Sequence, residues 1–326
     1  MKRYGNLFEK IINMNNLRLA HKNASKGKSK YKDVKMVNSN IDYYLEKIQK
    51  MLINNTYSVS PYKVMKLNDG NKIRTIHKLS YYPDRIIQWA ILLILNEIFM
   101  SCFVEDTYAS LPERGIHKIV KSLKNLLYNN EENLYCLKFD VRKFYENIDH
   151  NILKNLLRKK IKDQKVLRLF DLIIDSIEDG KGIPIGNYTS QYFANFYLSY
   201  FDHWVKEALQ IKNYYRYMDD IVLISNDSEK LHNNFKLIET YLRENLLLEI
   251  KKNWQVFLIE NRGIDFVGYR FFMKYTLLRK SITMRFKKTM LKGKNPKSVP
   301  SYLGWIKWCN AYNLSNKYLG VNNVSV

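Results

Sequence analysis

Two aspartates, Asp219 and Asp220, stand side by side in the run YRYMDDIVLIS, where Tyr, Ile and Val favour extended backbone and Asp is a poor strand former. Strand character on both sides predicts a β-hairpin that carries the acids at its tip. Adjacent carboxylates repel each other, so this tip needs an environment that offsets the repulsion. Open solvent around an ordinary turn would do so. Hydrated divalent cations, which accept hard oxygen ligands, would do so as well.

A third acid favours the second solution. Asp140 ends the apolar run LYCLKF and precedes VRKFYENIDH, which places it where a strand exits toward a helix. An Asp in that position is also a common helix cap, although Asp149, directly before His150 and a helical stretch, suits the cap better. If the Asp140 strand pairs beside the Asp219 hairpin, three carboxylates can hold two metals about 3.5–4 Å apart, the arrangement that serves in-line phosphoryl transfer. The all-oxygen donor set suits Mg²⁺, which keeps waters and shares substrate phosphates. The expected cofactor is therefore a pair of Mg²⁺ ions, with Mn²⁺ as a substitute.

The rest of the chain predicts mixed helices and strands. Apolar residues recur at helical spacing before and after a basic stretch, HKNASKGKSKYK, so residues 1–60 read as helix, basic loop, helix. YKVMKLNDGNKIRTIHKL alternates on both sides of Asn68-Asp69-Gly70 and predicts a β-hairpin. PDRIIQWAILLILNEIFM reads as a buried helix that begins at Pro83. Further expectations are a helix to about Tyr128, a strand in LYCLKFDV, helix over 151–179, a helix from about Thr189 to Leu209, and the strand pair of YYRYMDDIVLIS. A helix to Asn245 and a short strand pair between Ile250 and Phe272 follow. Hairpins beside single crossovers indicate an α+β class rather than a regular βαβ series.

Charge narrows the partners. The 326 residues carry a net +23, and from Phe266 to the C-terminus there are twelve Lys or Arg and no Asp or Glu. Such a one-sign field repels itself unless an anion offsets it, which points to nucleic acid. Three widely spaced cysteines, Cys102, Cys136 and Cys309, exclude a disulfide scaffold and a CxxC zinc site. His77, His117, His150 and His203 are scattered, and no P-loop or Ser-His-Asp pattern is present. The longest apolar stretch, Ile86 to Phe99, is too short to span a bilayer. The expectation is a cytoplasmic protein that makes no membrane contact.

Several segments together carry a resemblance. FDVRKFYENIDH, GIPIGNYTSQYFANFYL, YRYMDDIVL and GIDFVGYRF stand in the order and spacing of the palm motifs of reverse transcriptases. KIRTIHKLSYYPDRIIQWAI and DTYASLPERGIH look like the fingers motifs of the prokaryotic enzymes. IGNYTSQ resembles the IGxxxSQ pattern of reverse transcriptases from diversity-generating retroelements, where group II intron enzymes carry a PQG version. YTLLRKSI and SYLGWIKWCNAYNL resemble the short thumb of that group. The implied architecture is an α+β right-hand polymerase: an N-terminal helical, basic-loop segment over 1–60, fingers over 61–135, a palm with an antiparallel sheet over 136–272 in which 151–181 belongs partly to the fingers, and a basic thumb over 273–326. No RNase H domain is expected after Tyr269, nor a maturase extension or an endonuclease. One departure is Tyr108-Ala-Ser-Leu111-Pro112, where related motifs read Tyr-x-x-Arg-Pro.

The same resemblance implies roles for residues. Asp140, Asp219 and Asp220 would be the catalytic metal ligands, with the Val141 carbonyl beside them. Arg74 would grip the incoming triphosphate, where a guanidinium fits phosphate oxygens bidentately, and Lys72 is a second candidate. Tyr145, five residues after the first Asp, would be the steric gate against a ribose 2′-hydroxyl or else a core aromatic. Ile185 and Gly186 would line the nucleotide pocket, with Gln191 nearby. In the retroelement group an aliphatic residue such as Ile185 goes with error-prone copying of template adenines. Phe266, Val267, Gly268 and Tyr269 would form the primer grip, and Lys251 or Lys252 would protonate pyrophosphate. The implied partners are an RNA template with its primer or cDNA, dNTPs, a structured noncoding RNA and a small basic oligomeric accessory protein. The implied role is error-prone copying of a template-repeat RNA for gene diversification. The alternatives are an antiphage-defence reverse transcriptase and a non-catalytic RNA-binding scaffold.

Overall fold

The computed structural model describes residues 2–69, 72–177, 179–291 and 298–319. Helices mix with antiparallel sheets, as the α+β expectation requires. The chain forms two compact units, each discontinuous in sequence. One comprises residues up to Val104, Arg142–Trp204 and Tyr241–Glu249, and the other Glu105–Val141, Val205–Thr240 and the residues from Ile250 onward.

The first unit begins with α1 (Phe8–Ile12), α2 (Met14–Ser25), α3 (Lys32–Ser39) and α4 (Ile41–Ile53). The expected helix–loop–helix is thus four helices. Asparagines make the additional breaks: the Asn13 side chain accepts from Asn15 N and that of Asn40 from Tyr43 N, so each caps a new helix. The basic stretch is also partly helical, because His21 and Ala24 are buried and keep α2 wound to Ser25. The predicted hairpin is β1 (Lys63–Asp69) paired antiparallel with β2 (Lys72–Lys78); Gly70 of its turn lies outside the described residues.

A π-helical turn over Tyr81–Arg85 leads into α5 (Ile86–Met100), apolar nearly all round and buried as predicted. Its one fully buried polar side chain, Gln88, has a partner: Oε1 accepts from the backbone N–H of Tyr188, at the start of a later helix. Residues 151–179 hold two helices, α8 (His150–Lys160) and α9 (Gln164–Ile174), after the short α7 (Phe144–Asn147). Asp163 causes that break. One carboxylate oxygen accepts from Val166 N to cap α9, and the other accepts from Leu7 N and Phe8 N at 2.7 and 3.0 Å to cap α1. Asp149 caps α8 through Ile152 N, as its sequence position suggests. The long helix α10 (Tyr188–Glu207) follows.

The second unit is built on a four-stranded antiparallel sheet. Its strands are β3 (Tyr135–Asp140), β4 (Asn213–Tyr217), β5 (Asp220–Ser225) and β6 (Gln255–Leu258), in the order β4-β5-β3-β6. Helices α6 (Ile116–Tyr128) and α11 (Ser228–Leu246) flank these strands in sequence, and the single turn α12 (Ile259–Arg262) follows β6. The expected strand pair before Phe272 is larger than predicted: β7 (Ile264–Phe266), β8 (Tyr269–Phe271) and β9 (Thr276–Leu278) make a second sheet. The basic tail adds α13 (Lys280–Leu291), α14 (Val299–Ile306) and α15 (Tyr312–Leu319). Cys136, Val222, Ile224, Phe266, Tyr269, Phe286 and Ile306 belong to one core, so the tail is packed onto this unit through its apolar residues.

The β7–β8 hairpin turns in two residues, Val267 at φ +42° and Gly268 at φ +90°. A Cβ on Gly268 would lie 2.4 Å from the Trp305 ring of α14. Backbone conformation and close approach therefore both require glycine there. Gly268→Ala is expected to destabilise the protein by about 2 kcal/mol or more, whereas Gly115→Ala, with nothing within 4 Å of the added methyl, should be much milder; thermal unfolding of the two variants checks this.

Candidate active site

The hairpin that carries the two aspartates is as tight as its sequence suggests. Tyr217 pairs with Asp220, which leaves Met218 and Asp219 as a two-residue tip. Met218 has φ +55°, a left-handed conformation that costs a side-chain-bearing residue about 1–2 kcal/mol. The tip is held from below by Arg216, a fully buried arginine whose guanidinium donates to the Met218 carbonyl at 3.1 Å and to Thr107 Oγ1 at 3.4 Å. The backbone of Arg216 also bonds on both sides to the 106–108 segment. This clamp holds the backbone of the tip that carries Asp219.

The neighbouring strand brings in the third acid. β3 pairs with β5 so that Asp140 lies directly opposite Asp220, and Val141 N–H donates to the Asp219 carbonyl at 3.1 Å. Burial, and next the negative charge of Asp140, push the Asp219 carboxyl up to about 6. Burial also raises Asp220 to about 6, against the opposing pull of the Lys138 ammonium. Two lysines offset part of the repulsion. Lys251 donates to an Asp140 carboxylate oxygen, and its backbone N–H donates to the Asp140 carbonyl at 2.9 Å. Lys138 lies 3.4 Å from Asp220 Oδ1 and donates to the Asp265 carbonyl. Lys252, the other candidate from the sequence, is exposed.

A concavity of about 450 Å³ includes Lys138, Asp140, Asp220, Asp265 and Arg279 in its wall. Arg279 Nε donates to Asp265 Oδ1 at 2.5 Å, and its backbone N–H donates to the Gly268 carbonyl. Lys138 lies over the Phe266 ring, so the chain of contacts from Asp220 ends at the β7–β8 hairpin. Within that hairpin Phe266 and Tyr269 are fully buried, Gly268 is covered by Trp305, and Val267 is half-buried.

Arg74, Tyr145, Ile185, Gly186 and Gln191 belong to the other compact unit. Arg74 is an exposed residue of β2, opposite Leu67. Lys72 begins the same strand, and its side chain lies outside the described residues. Tyr145 sits half-buried in α7, edge-on to Phe144, and its carbonyl accepts from Ile183 N. The Ile185 carbonyl accepts from His77 N at 2.8 Å, which ties the 185–186 turn to β2. Gly186, at φ +129°, would carry a Cβ 2.6 Å from the His77 carbonyl oxygen. Backbone packing against β2 is thus sufficient reason for glycine there. Gln191 is half-buried in the first turn of α10, next to the buried Thr189 and Ser190.

With this geometry established, similarity to known proteins places the chain. Residues 66–271 match the family described as "Reverse transcriptase (RNA-dependent DNA polymerase)". The chain belongs to the reverse transcriptase family. It is 27% identical over 210 residues to the group II intron-encoded protein LtrA of Lactococcus lactis subsp. cremoris, a stretch that covers 61% of this chain and 34% of the relative. It is 24% identical over 183 residues to the protein YkfC of Escherichia coli, covering 53% and 48% of the two chains. The chain therefore spans about a third to a half of the length of these relatives. Among solved structures, a telomerase from Candida albicans, in complex with a fragment of telomeric RNA, is similar with a TM-score of 0.51 at 12% identity, over 69% of this chain and 46% of the telomerase. An apo telomerase from Candida tropicalis gives 0.50 at 14% identity, over 70% and 58%. At such identity the likeness shows a shared fold, that of the right-hand polymerases.

The donor chemistry of this candidate site suits a divalent cation. Its donors are hard carboxylate oxygens under mutual repulsion, and the buried Asp220 Oδ1 faces the Lys138 ammonium at 3.4 Å. No group of three or more His, Cys, Asp or Glu side chains among the described residues is arranged to hold a metal, so the fit rests on the pair Asp140 and Asp219, with Asp220 turned toward Lys138. Sequence reasoning missed Lys138, Arg216 and Asp265. Lys138 had a readable signal, because it lies two residues before Asp140 and hence on the same face of β3. Arg216 had none, since a buried cation is indistinguishable from a surface one in sequence.

The raised carboxyls fix a stability signature. A carboxyl whose folded value lies above its unfolded value costs stability as pH rises from the unfolded value through the folded one, and the deficit stays constant above it. In chelator-treated protein, Asp219→Asn should therefore unfold at higher temperature than wild type at pH 7, with the gain shrinking as pH falls from about 6 toward the ordinary carboxylate range. Added Mg²⁺ should stabilise wild type more than the variant. Calorimetric scans across pH, with and without Mg²⁺, check both.

Proposed function

We propose that the protein is an RNA-directed DNA polymerase that extends a primer 3′ end on an RNA template. The observation that carries this reading is the meeting of Asp140 with Asp219 at the end of β3 and β5, in a chain of the reverse transcriptase family. Asp140 and Asp219, with the Val141 carbonyl, would hold the divalent ions, and Asp220 would contribute charge from across the strand pair. Bound there, two Mg²⁺ ions would supply charge stabilisation for in-line attack and lower the pKa of the attacking hydroxyl.

The remaining roles would fall to the chain's own groups. Lys251, held on Asp140, would be the better of the two candidate general acids and would give a proton to the leaving pyrophosphate. Arg74 would pair with the triphosphate and Lys72 would add charge on the same strand. Tyr145 would exclude the 2′-hydroxyl, and Ile185, Gly186 and Gln191 would shape the nucleotide pocket. In the primer grip, Phe266, Gly268 and Tyr269 would form the support, while Val267 and the turn backbone would meet the primer.

For the biological role, we favour error-prone copying of a template-repeat RNA, with a structured noncoding RNA and a small basic oligomeric accessory protein as partners. The support for it is IGNYTSQ, with Ile185 at the position where an aliphatic residue goes with adenine errors in the resembled group. A purified-protein primer-extension assay with RNA template, dNTPs and Mg²⁺, supplemented with the native RNA and accessory protein, tests the activity. Incorporation should vanish in Asp219→Asn. Arg74→Ala should raise the KM for dNTP about ten- to a hundredfold, and Tyr145→Ala should raise rNTP use relative to dNTP about tenfold. Wild-type extension that survives in Asp219→Asn would refute the assignment.

A further inference from the structure

The turn that carries Ile185 and Gly186 leads directly into α10, and the start of that helix is capped by a side chain from another helix. The first N–H groups of a helix have no partner within it, and the residue just before the helix commonly supplies one. Asn187 stands in that place and does not serve. Its Nδ2 donates to the Tyr62 hydroxyl at 2.8 Å, and its buried Oδ1 has no hydrogen-bond partner among the described residues. Gln88 of α5 takes over: its Oε1 accepts from Tyr188 N at 2.9 Å and from Thr189 N at 3.5 Å.

The rest of the Gln88 side chain gives no other reason for glutamine. It is 1% exposed in a helix that is apolar nearly all round, and its Nε2 has no hydrogen-bond partner among the described residues. A buried amide N–H left unpaired is costly, and a methionine would fill the same space without it. The acceptor oxygen is therefore what the position supplies. Neighbouring contacts keep α5 and α10 in register, because Trp89 stacks on Tyr188 with ring centroids 4.4 Å apart and the Tyr192 hydroxyl donates to Asn96 Oδ1 at 2.9 Å. The 185–186 turn is tied in addition to β2 through His77. All of these residues belong to the first compact unit.

We infer that Gln88 is a positioning residue for the nucleotide pocket, acting through the backbone of Tyr188 and Thr189 to set where the Ile185–Gly186 turn stands. The inference rests on the polymerase reading above, in which that turn shapes the pocket, and adds to it an acceptor atom in α5 that holds the turn from behind.

The experiment is steady-state primer extension by the full chain under the conditions given above, with dNTP varied, beside thermal unfolding of each variant. Gln88→Met removes the acceptor at nearly constant volume. It should raise the KM for dNTP about tenfold with kcat within about threefold of wild type, the pattern of lost binding rather than lost chemistry. Gln88→Glu keeps an acceptor oxygen in either protonation state and gives up only the unpaired amide N–H groups, so its KM should stay within about threefold of wild type. Gln88→Asn withdraws the acceptor by one methylene, should match Gln88→Met, and decides the matter if the methionine variant fails to fold. Tyr192→Phe removes the Asn96 hydrogen bond between the same two helices and controls for lost stability: it should lower the unfolding temperature without moving KM. The inference is overturned if Gln88→Met or Gln88→Asn keeps the wild-type KM, if Gln88→Glu loses as much as they do, or if Tyr192→Phe raises KM equally. Absence of extension by the wild type would instead refute the polymerase reading, and this inference with it.

Discussion

The β3–β5 pairing register is the constraint on which the site depends. Placing Asp140 opposite Asp220, with Val141 N–H on the Asp219 carbonyl, compels three acids from distant parts of the sequence to share one strand end. A slip of one residue would turn Asp140 to the other face of the sheet, among the apolar side chains that meet Phe235 through Phe139. The alternation of β3 prevents that slip, since it sends Leu137 and Phe139 one way and Lys138 and Asp140 the other. The hydrophobic pattern of a short strand therefore determines the position of a charged group.

Gathering these acids is costly, and the surrounding structure shows how the cost is contained. Burial and mutual repulsion raise Asp219, and burial raises Asp220, so their ionised forms are disfavoured in the metal-free fold. Lys251 and Lys138 each take one carboxylate and tie it to a different element, β6 by way of the preceding turn and the β7–β8 hairpin respectively. Arg216 then holds the strained Met218 turn by its carbonyl. A divalent ion in the proposed place would take over Asp140 from Lys251, which would leave that ammonium available to a departing phosphate. The same basic residues thus serve folding first, and the proposed chemistry second.

Much of this was readable from residue order. Alternation on both sides of Asn68-Asp69-Gly70 gave the first hairpin, and YRYMDDIVLIS gave the second, although only Asp219 lies in its tip and Asp220 opens β5. The α+β class followed from the mixture of hairpins and crossovers. Asparagine caps at positions 13 and 40, and the two-sided cap at Asp163, split helices that periodicity had run together, because a cap depends on which N–H its side chain reaches. Gly186 and Gly268 were read from the resemblance as a pocket residue and a primer-grip residue, but what packs against them was not legible. His77 packs on Gly186 and Trp305 on Gly268, both from far along the chain. Lys138 could have been found from strand periodicity; the burial of Arg216 depends on long-range packing against the 106–108 segment.

Iron(II)-dependent hydroxyl-radical cleavage of the chain itself is the most direct probe of the central claim, because Fe²⁺ in a Mg²⁺ site cuts the backbone beside it. The cuts should map to the segments around Asp140 and Met218–Asp220, should be suppressed by excess Mg²⁺, and should disappear in Asp140→Asn. Cleavage elsewhere, or the same cuts in that variant, would contradict a metal-binding centre at the meeting of these two strands.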